Sequence, residues 1–263
     1  MNFLLGTHMP AWLHTVDVPL FVSAIRLRKR AKHRQALRPW ALDSGGFSEL
    51  TTHGRWTVGP EQYADEVAAW SEAIGSLQWA AVQDWMCEPA VRELTRLTVR
   101  EHQARTVASL HDLRRLAPGL PWVPVLQGWA PGDYFDHVTL YASEGVDLRR
   151  EQLVGIGSVC RRQGTAEALI VIRDLAADGI KLHGFGFKTS GLTQLAAQGG
   201  GLASADSLAW SYGARKRPPL EGCAHRTCAN CPRWALQWRG ALLAKVAAVR
   251  PLPEQSLLFG GAA

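Results

Sequence analysis

A (β/α)8 barrel is the fold class this sequence predicts, on three observations. Short apolar segments alternate with segments of helical period, which implies parallel strands joined by crossover helices. About eight such units fit within the 263 residues, and a single barrel commonly runs to this length. His8, Asp43, Asp84, Gln127, Ser158, Lys188 and Asp206 fall at the C-terminal ends of the predicted strands. In a barrel those ends converge on one face, where active sites of this fold lie. A doubly wound open sheet would gather only some of them, and no G-x-G-x-x-G fingerprint follows the first strand.

The elements follow in chain order. Residues 2–7 form a first strand ending at His8, and residues 19–25 a second. The run from Arg26 through Arg28, Lys29 and Arg30 to Arg34 is the densest basic stretch. It reads either as the solvated face of a helix or as a phosphate-contact patch. Residues 39–42 lead into Asp43-Ser-Gly-Gly-Phe47, where paired glycines predict a tight turn and close backbone approach to a ligand. A helix over 60–74 stops at Gly75, and the apolar strand 77–83 ends on Asp84-Trp85. Residues 90–116 have helical period. Strand 122–126 ends at Gln127-Gly128-Trp129, and a helix follows Pro131. Strand 152–157, with Gly155 and Gly157, ends at Ser158 and is followed by Arg161 and Arg162. A helix over 165–178, a strand over 181–187 ending at Lys188, and a short helix then lead to the Asp206 strand. Residues 232–249 close the chain as an amphipathic helix, and the tail reads as loose.

Between the last strand and that helix stands Cys223-x-His225-x2-Cys228-x2-Cys231. Three thiolates and an imidazole suit tetrahedral Zn²⁺ with no position left for water, so the metal reads as structural. The whole chain, 1–263, is therefore expected to be one barrel domain with a zinc-binding subregion at 221–234 inserted after the last strand. Cys87 and Cys160 remain as buried thiols, a usage that fits a reducing cytoplasm. No apolar run is long enough for a membrane span, and the N-terminus is too short for a signal peptide. A formal charge of +6 favours a polyanionic partner.

Asp43-Ser-Gly-Gly-Phe47 resembles the Asp-Ser-Gly-Gly-Phe/Tyr motif of the tRNA-guanine (queuine) transglycosylases, and Ala205-Asp206-Ser207 resembles their nucleophile segment. The cysteine cluster follows as their zinc site does. Asp84 and Gln127-Gly128 match their base-reading positions, and Gly155-Ile-Gly157 their glycine-rich base-binding strand. The segments Gln83-Asp-Trp-Met-Cys-Glu-Pro89 and Gly157-Ser-Val-Cys-Arg-Arg-Gln163 are similar to a DNA-directed branch, the DpdA-like deazapurine DNA modification proteins, whose fold phage-defence DNA glycosylases share. The resemblance covers residues 2 to about 245. The cluster spacing departs from C-x-C-x2-C plus a distant histidine, and the chain is shorter than a typical tRNA enzyme. Both departures argue against tRNA as substrate.

Independently of family, cleaving a base from its sugar builds oxocarbenium character at C1′, which a nearby carboxylate stabilises or captures. Asp206 fits that role. Asp43 or Asp84 could protonate or hold the departing base if burial raises its pKa. Gln127 and the amides near Gly157 could read the base edge. Phe47, Ser158 and Lys188 complete the base-binding set. Trp85, Trp129 and Trp210 could stack on a flipped base or pack in the core. Arg161 and Arg162 could hold flanking phosphates or be solvated. The expectation is a DNA glycosylase that excises a modified base and leaves an abasic site, in anti-phage defence. Exchange of guanine for a 7-deazaguanine is the alternative, and a non-catalytic nucleic-acid-binding barrel a further one. A metal-dependent hydrolase would need ligands outside the cysteine cluster, and no paired-histidine motif supplies them.

Overall fold

A computed structural model describes residues 1–159 and 165–250. Cys160, Arg161 and Arg162 lie outside the described residues. Among those described, nine parallel strand segments form one sheet: β1 (Asn2–Thr7), β2 (Leu20–Ser23), β3 (Trp40–Asp43), β4 (Leu77–Ala81), β5 (Trp122–Val123), β6 (Val125–Leu126), β7 (Val154–Ile156), β8 (Leu182–Gly184) and β9 (Leu202–Ser207). Their order is β5-β4-β3-β2-β1-β9-β8-β7-β6. The two edges, β5 and β6, are consecutive in the chain and flank Pro124. Proline has no N–H for the ladder, so one run divides into two short pieces.

That run closes the sheet. On one side Val82 N–H donates to Val123 O at 3.3 Å; on the other, Gly155 N–H donates to Pro124 O at 2.8 Å and Gly157 N–H to Leu126 O at 2.9 Å. Taking β5 and β6 as one strand gives the eight-stranded barrel that the alternating pattern predicts. The helices pack outside it. In α3 (Pro60–Ile74), Tyr63, Ala64, Val67, Trp70 and Ile74 turn inward, the three-and-four spacing of an amphipathic helix. Proline at its first turn and Gly75 at φ 68° after its last set its limits.

Several local expectations change. The helical stretch 90–116 is two helices, α4 (Pro89–Thr95) and α5 (Val99–Leu116). Arg96 breaks it with φ 57°, and α5 restarts on a capping box between Thr98 and Glu101. The basic run is not one helix face. Helix α1 (Ala24–Arg28) ends early, and residues 29–34 continue as turn and irregular chain. Helices α2 (Gly46–His53) and α9 (Ala209–Ala214) are additional. Both are short and interrupted by Gly, Ser or Thr, so their intrinsic helical signal is weak.

The barrel interior carries aromatic rings from several strands. The His183 ring lies 4.6 Å from Trp79, 5.4 Å from Phe21 and 5.0 Å from Phe185, centroid to centroid. Trp210 is fully buried. Its Nε1–H donates to Gly6 O at 2.8 Å, and its ring stacks on Trp12. It is core, and the base-stacking alternative for it does not hold.

Candidate active site

Three acidic side chains from well-separated parts of the sequence meet at the C-terminal mouth. Asp43 ends β3, Asp84 follows β4, and Asp206 is the penultimate residue of β9. The glycines after Asp43 have distinct jobs. Gly45 sits at φ 88°, open to glycine at little cost. A side chain at Gly46 would stand 3.2 Å from Asp84 O and 3.3 Å from its Oδ1. The tight turn is expected to approach a ligand; in the structure Gly46 packs closely on Asp84 and also lines the cavity described below.

Asp84 is nearly buried and bonded on both oxygens. Ser44 Oγ–H donates to Oδ1 at 3.0 Å, and Gln127 Nε2–H donates to Oδ2. Gln127 in turn meets Ser158, whose Oγ lies 2.7 Å from Gln127 Oε1 and 2.8 Å from Glu88 Oε2 and accepts Cys87 N–H at 3.0 Å. Ser158 holds φ 57°, strained for a non-glycine residue, within this network. A Cβ at Gly157 would lie 2.1 Å from Gln127 Nε2, so only glycine lets the amide lie there. Asp206 Oδ1 accepts Gly186 N–H at 2.8 Å, and its main-chain carbonyl accepts Phe187 N–H at 2.8 Å.

The electrostatics favour protons on two of the three. Burial, then the Asp84 carboxylate, pushes the Asp43 pKa up to about 6 against the opposing Gly45 amide and Ser23 hydroxyl, and the Asp206 carboxylate adds to the rise. Burial likewise pushes Asp84 up to about 6, with Ser44 and Gln127 holding it back. Part of the Asp43 edge nevertheless opens to a cavity.

That cavity measures about 160 Å³, the scale of one nucleobase, and is lined by Asp43, Phe47, Asp84, Gln127, Gly157, Ser158 and also Gly46, Met86, Glu88, Phe185 and Gly186. Asp206 reaches it through its bond to Gly186. None of the last five was singled out as a site residue, although Gly46 stands in the paired-glycine turn and Met86 and Glu88 in the Gln83–Pro89 segment. For Phe185 and Gly186 the readable signal was the alternation of glycine with phenylalanine in Gly184-Phe-Gly186-Phe187. A depression of about 870 Å³ at the opposite mouth, lined by Asn2, Gln78, Trp79 and Ser204 among others, is larger. It lies at the strand N-termini, the stability face of a barrel, so the smaller cavity at the C-terminal mouth is the candidate site.

Other anticipated residues lie elsewhere. Trp85 packs edge-on to His102, with the Arg105 guanidinium 4.6 Å above its ring. Trp129 lines a separate small recess with Pro131 and Tyr134. Gly128 backs onto Asp133 and Tyr134, and Gly155 onto Phe185. Lys188 is exposed at the start of α8 (Thr189–Ala197). None of these five lines the cavity. Arg28 turns inward, its Nε donating to Glu66 at 2.7 Å with Glu49 3.9 Å away. Its guanidinium therefore faces two carboxylates within the fold. Arg26, Lys29 and Arg30 stay exposed.

A family model described as DpdA, DeoxyPurine in DNA protein A, matches residues 1–261. The chain belongs to the DpdA family. No curated protein matches it. The match takes in the three acids and the cysteine cluster, so in this DpdA chain both fall inside the family's extent. Cys223, His225, Cys228 and Cys231 form a group that could hold a metal ion such as zinc, their ligand atoms all within 4.8 Å of one another. Tetrahedral Zn–S and Zn–N bonds place ligand atoms about 3.5–3.8 Å apart. The Cys223–Cys231 sulfurs at 4.0 Å and the His225 Nε2 to Cys228 Sγ distance of 3.1 Å straddle that value. Leu220 N–H also donates to Cys228 Sγ at 3.2 Å, support that suits a thiolate. The cluster is tied to α9, the helix that follows the Asp206 strand. Ser211 of α9 donates to Ala229 O at 2.9 Å, and Trp234 Nε1–H donates to Trp210 O at 2.9 Å. Beside it, Tyr212 is 62% exposed with the Lys216 ammonium 4.3 Å over its ring. Cys87 is buried, as expected. Among the described residues no helix is long and apolar enough to cross a membrane.

Proposed function

We propose that this chain is a transglycosylase-like enzyme that breaks the N-glycosidic bond of a purine in DNA through a covalent Asp206 intermediate. One observation supports the reading: Asp43 and Asp84 line a base-sized cavity with pKa values pushed up to about 6, and Asp206 borders it, its Oδ1 accepting the N–H of the lining residue Gly186. Asp206 Oδ2 donates a lone pair to C1′ as the C1′–N bond breaks. The bond's electron pair leaves with the base, which takes a proton from Asp43. Asp43 suits the acid role because both Asp84 and Asp206 disfavour its charge. Asp84, bonded through both oxygens, suits reading the base edge together with Gln127. Met86 and Phe185 supply apolar walls for a flipped base.

The second half-reaction decides the product. Attack on C1′ by a second base, with its proton passing to Asp43, restores Asp206 and completes an exchange. The family's description, a deoxypurine in DNA, supports exchange. A cavity of about 160 Å³ has room for about one base, so on this reading the ester outlasts base departure. Water attack in that interval gives excision, the second reading. The test is to incubate the protein with guanine-containing DNA and a labelled 7-deazaguanine. Label in DNA with free guanine and no alkali-labile sites supports exchange. Free base with alkali-labile sites supports excision. Neither guanine DNA nor deazaguanine-containing phage DNA releasing base would overturn the enzymatic reading.

DNA would lie across the exposed Arg26, Lys29 and Arg30 that follow β2 and Tyr212 with Lys216 that follow β9, at the same mouth. Such groups neutralise phosphates and stack on bases. Zinc in the cysteine cluster would be structural, holding the chain that follows α9. Elemental analysis should find about one zinc per chain. Cys228→Ala should lose it and unfold at lower temperature. A zinc-free protein whose Cys228→Ala variant melts like the parent would exclude the metal.

A further inference from the structure

The barrel interior near the carboxylates holds a histidine that the reaction above does not use. His183 is fully buried among Phe21, Trp79 and Phe185. A phenyl ring would fill such a layer without polar cost, whereas a buried imidazole nitrogen left unpaired costs about 1–3 kcal/mol. Nδ1 lies 2.8 Å from Ser204 Oγ. Nε2 makes no hydrogen bond and stands 3.4 Å from Asp206 Oδ1. Ser204 and Asp206 are two residues apart on β9 and so share its inward face.

The geometry selects a tautomer. If the Ser204 hydroxyl donates to Nδ1, the hydrogen sits on Nε2 and faces the carboxylate. The opposite tautomer would set a nitrogen lone pair against a carboxylate oxygen. Oδ1 already accepts Gly186 N–H at 2.8 Å, so a second donor approaches the same oxygen. Oδ2 accepts no hydrogen bond from a described residue.

We propose that His183, fixed as its Nε2–H tautomer by Ser204, is a positioning residue that clamps Oδ1 of Asp206 and so presents Oδ2 to the anomeric carbon. The proposal rests on Asp206 acting as the nucleophile. A small rotation of the carboxylate turns the 3.4 Å contact into a hydrogen bond. In the free protein the Gly186 N–H holds Oδ1 at 2.8 Å and the imidazole stands 3.4 Å away. When Oδ2 engages C1′, the clamp holds the other oxygen still. Fixing one oxygen limits the motions that would misplace the other, and misplacement by about 1 Å can cost about 100-fold in rate.

The test uses the full chain. His183→Leu removes the donor, and His183→Gln keeps an N–H near the position of Nε2. With guanine-containing DNA as probe, His183→Leu should lower kcat for base release about 100-fold while KM stays within about 2-fold. His183→Gln should recover most of that loss. A purely structural histidine would show no such rescue and no such split between kcat and KM. Nitrogen-15 NMR of histidine-labelled protein tests the tautomer without any substrate, and also if His183→Leu does not fold. The Nε2–H form, with a ring signal that shifts in Asp206→Asn, is expected. An Nδ1–H form would overturn the proposal whatever the activity. An inactive Asp206→Asn beside a fully active His183→Leu would sink the clamp alone. A fully active Asp206→Asn would sink the nucleophile reading itself.

Discussion

Asp206→Asn should fold as the parent does and lose base release by at least about 10⁴-fold, the scale on which removal of a covalent nucleophile is felt. The substitution is close to isosteric. An asparagine Oδ1 can still accept the Gly186 amide that now meets Asp206 Oδ1 at 2.8 Å, so the end of β9 keeps its anchor. What disappears is the charge. A neutral amide neither stabilises positive charge at C1′ nor forms an ester that a second base or water can resolve. Removing one of three crowded carboxylates also relieves Asp43, whose proton the Asp206 charge helps to hold. Stability at neutral pH should therefore be unchanged or slightly raised. Thermal melts and a base-release time course check both parts. Release at the parental rate would reassign the nucleophile.

The fold was legible because each barrel strand is an apolar run stopped by a polar residue. Asp43, Asp84, Gln127 and Asp206 each mark such a stop, and closure then brings them to one mouth. Helix α3 was legible to its ends, since Pro60 and Gly75 are local signals. The break between α4 and α5 was harder. It turns on Arg96 in a left-handed conformation that no glycine announces, and only Thr98-x-x-Glu101 marks the restart. The fate of Arg28 depends on Glu49 and Glu66, on two other helices, and pairing at that separation leaves no trace in local composition. The same holds for the cavity wall. Met86 and Glu88 line it, while Trp85 beside them faces His102 and Arg105, because the irregular chain after β4 sets which side chain turns inward. His183 was invisible for another reason. In sequence it is one more residue of a buried strand, and its meaning comes from Ser204 and Asp206 two strand positions apart on the neighbouring strand.

Asp43→Asn should make the protein more stable at pH 7.5 while slowing base release about 10²–10⁴-fold, the usual worth of a general acid. The sign follows from proton counts. Asp43 and Asp84 have pKa values of about 6 in the folded chain against 3.8 for an unperturbed carboxyl. Between those values the native state holds protons that the unfolded chain has released, so stability falls as pH rises through this window. Below about pH 4 both states are protonated and the two acids cost nothing. Above about pH 6 the full cost is present, up to about 3 kcal/mol for one site. The two sites do not add simply, because each senses the other's charge. Asparagine at 43 carries no charge to desolvate, so the variant should lose part of this pH dependence and gain stability at pH 7.5. Urea unfolding of parent and variant at pH 4.5 and 7.5 isolates the effect, since every other titrating group cancels in the comparison. The same protons set the activity profile. With the acid form of Asp43 required to protonate the leaving base, kcat should fall above about pH 6 in the parent. Asp84→Asn should weaken base recognition, and its effect should therefore differ from one base to another. A parent whose stability is level from pH 4.5 to 7.5, with no gain in Asp43→Asn, would mean that Asp43 is already ionised in the folded protein and cannot supply the proton.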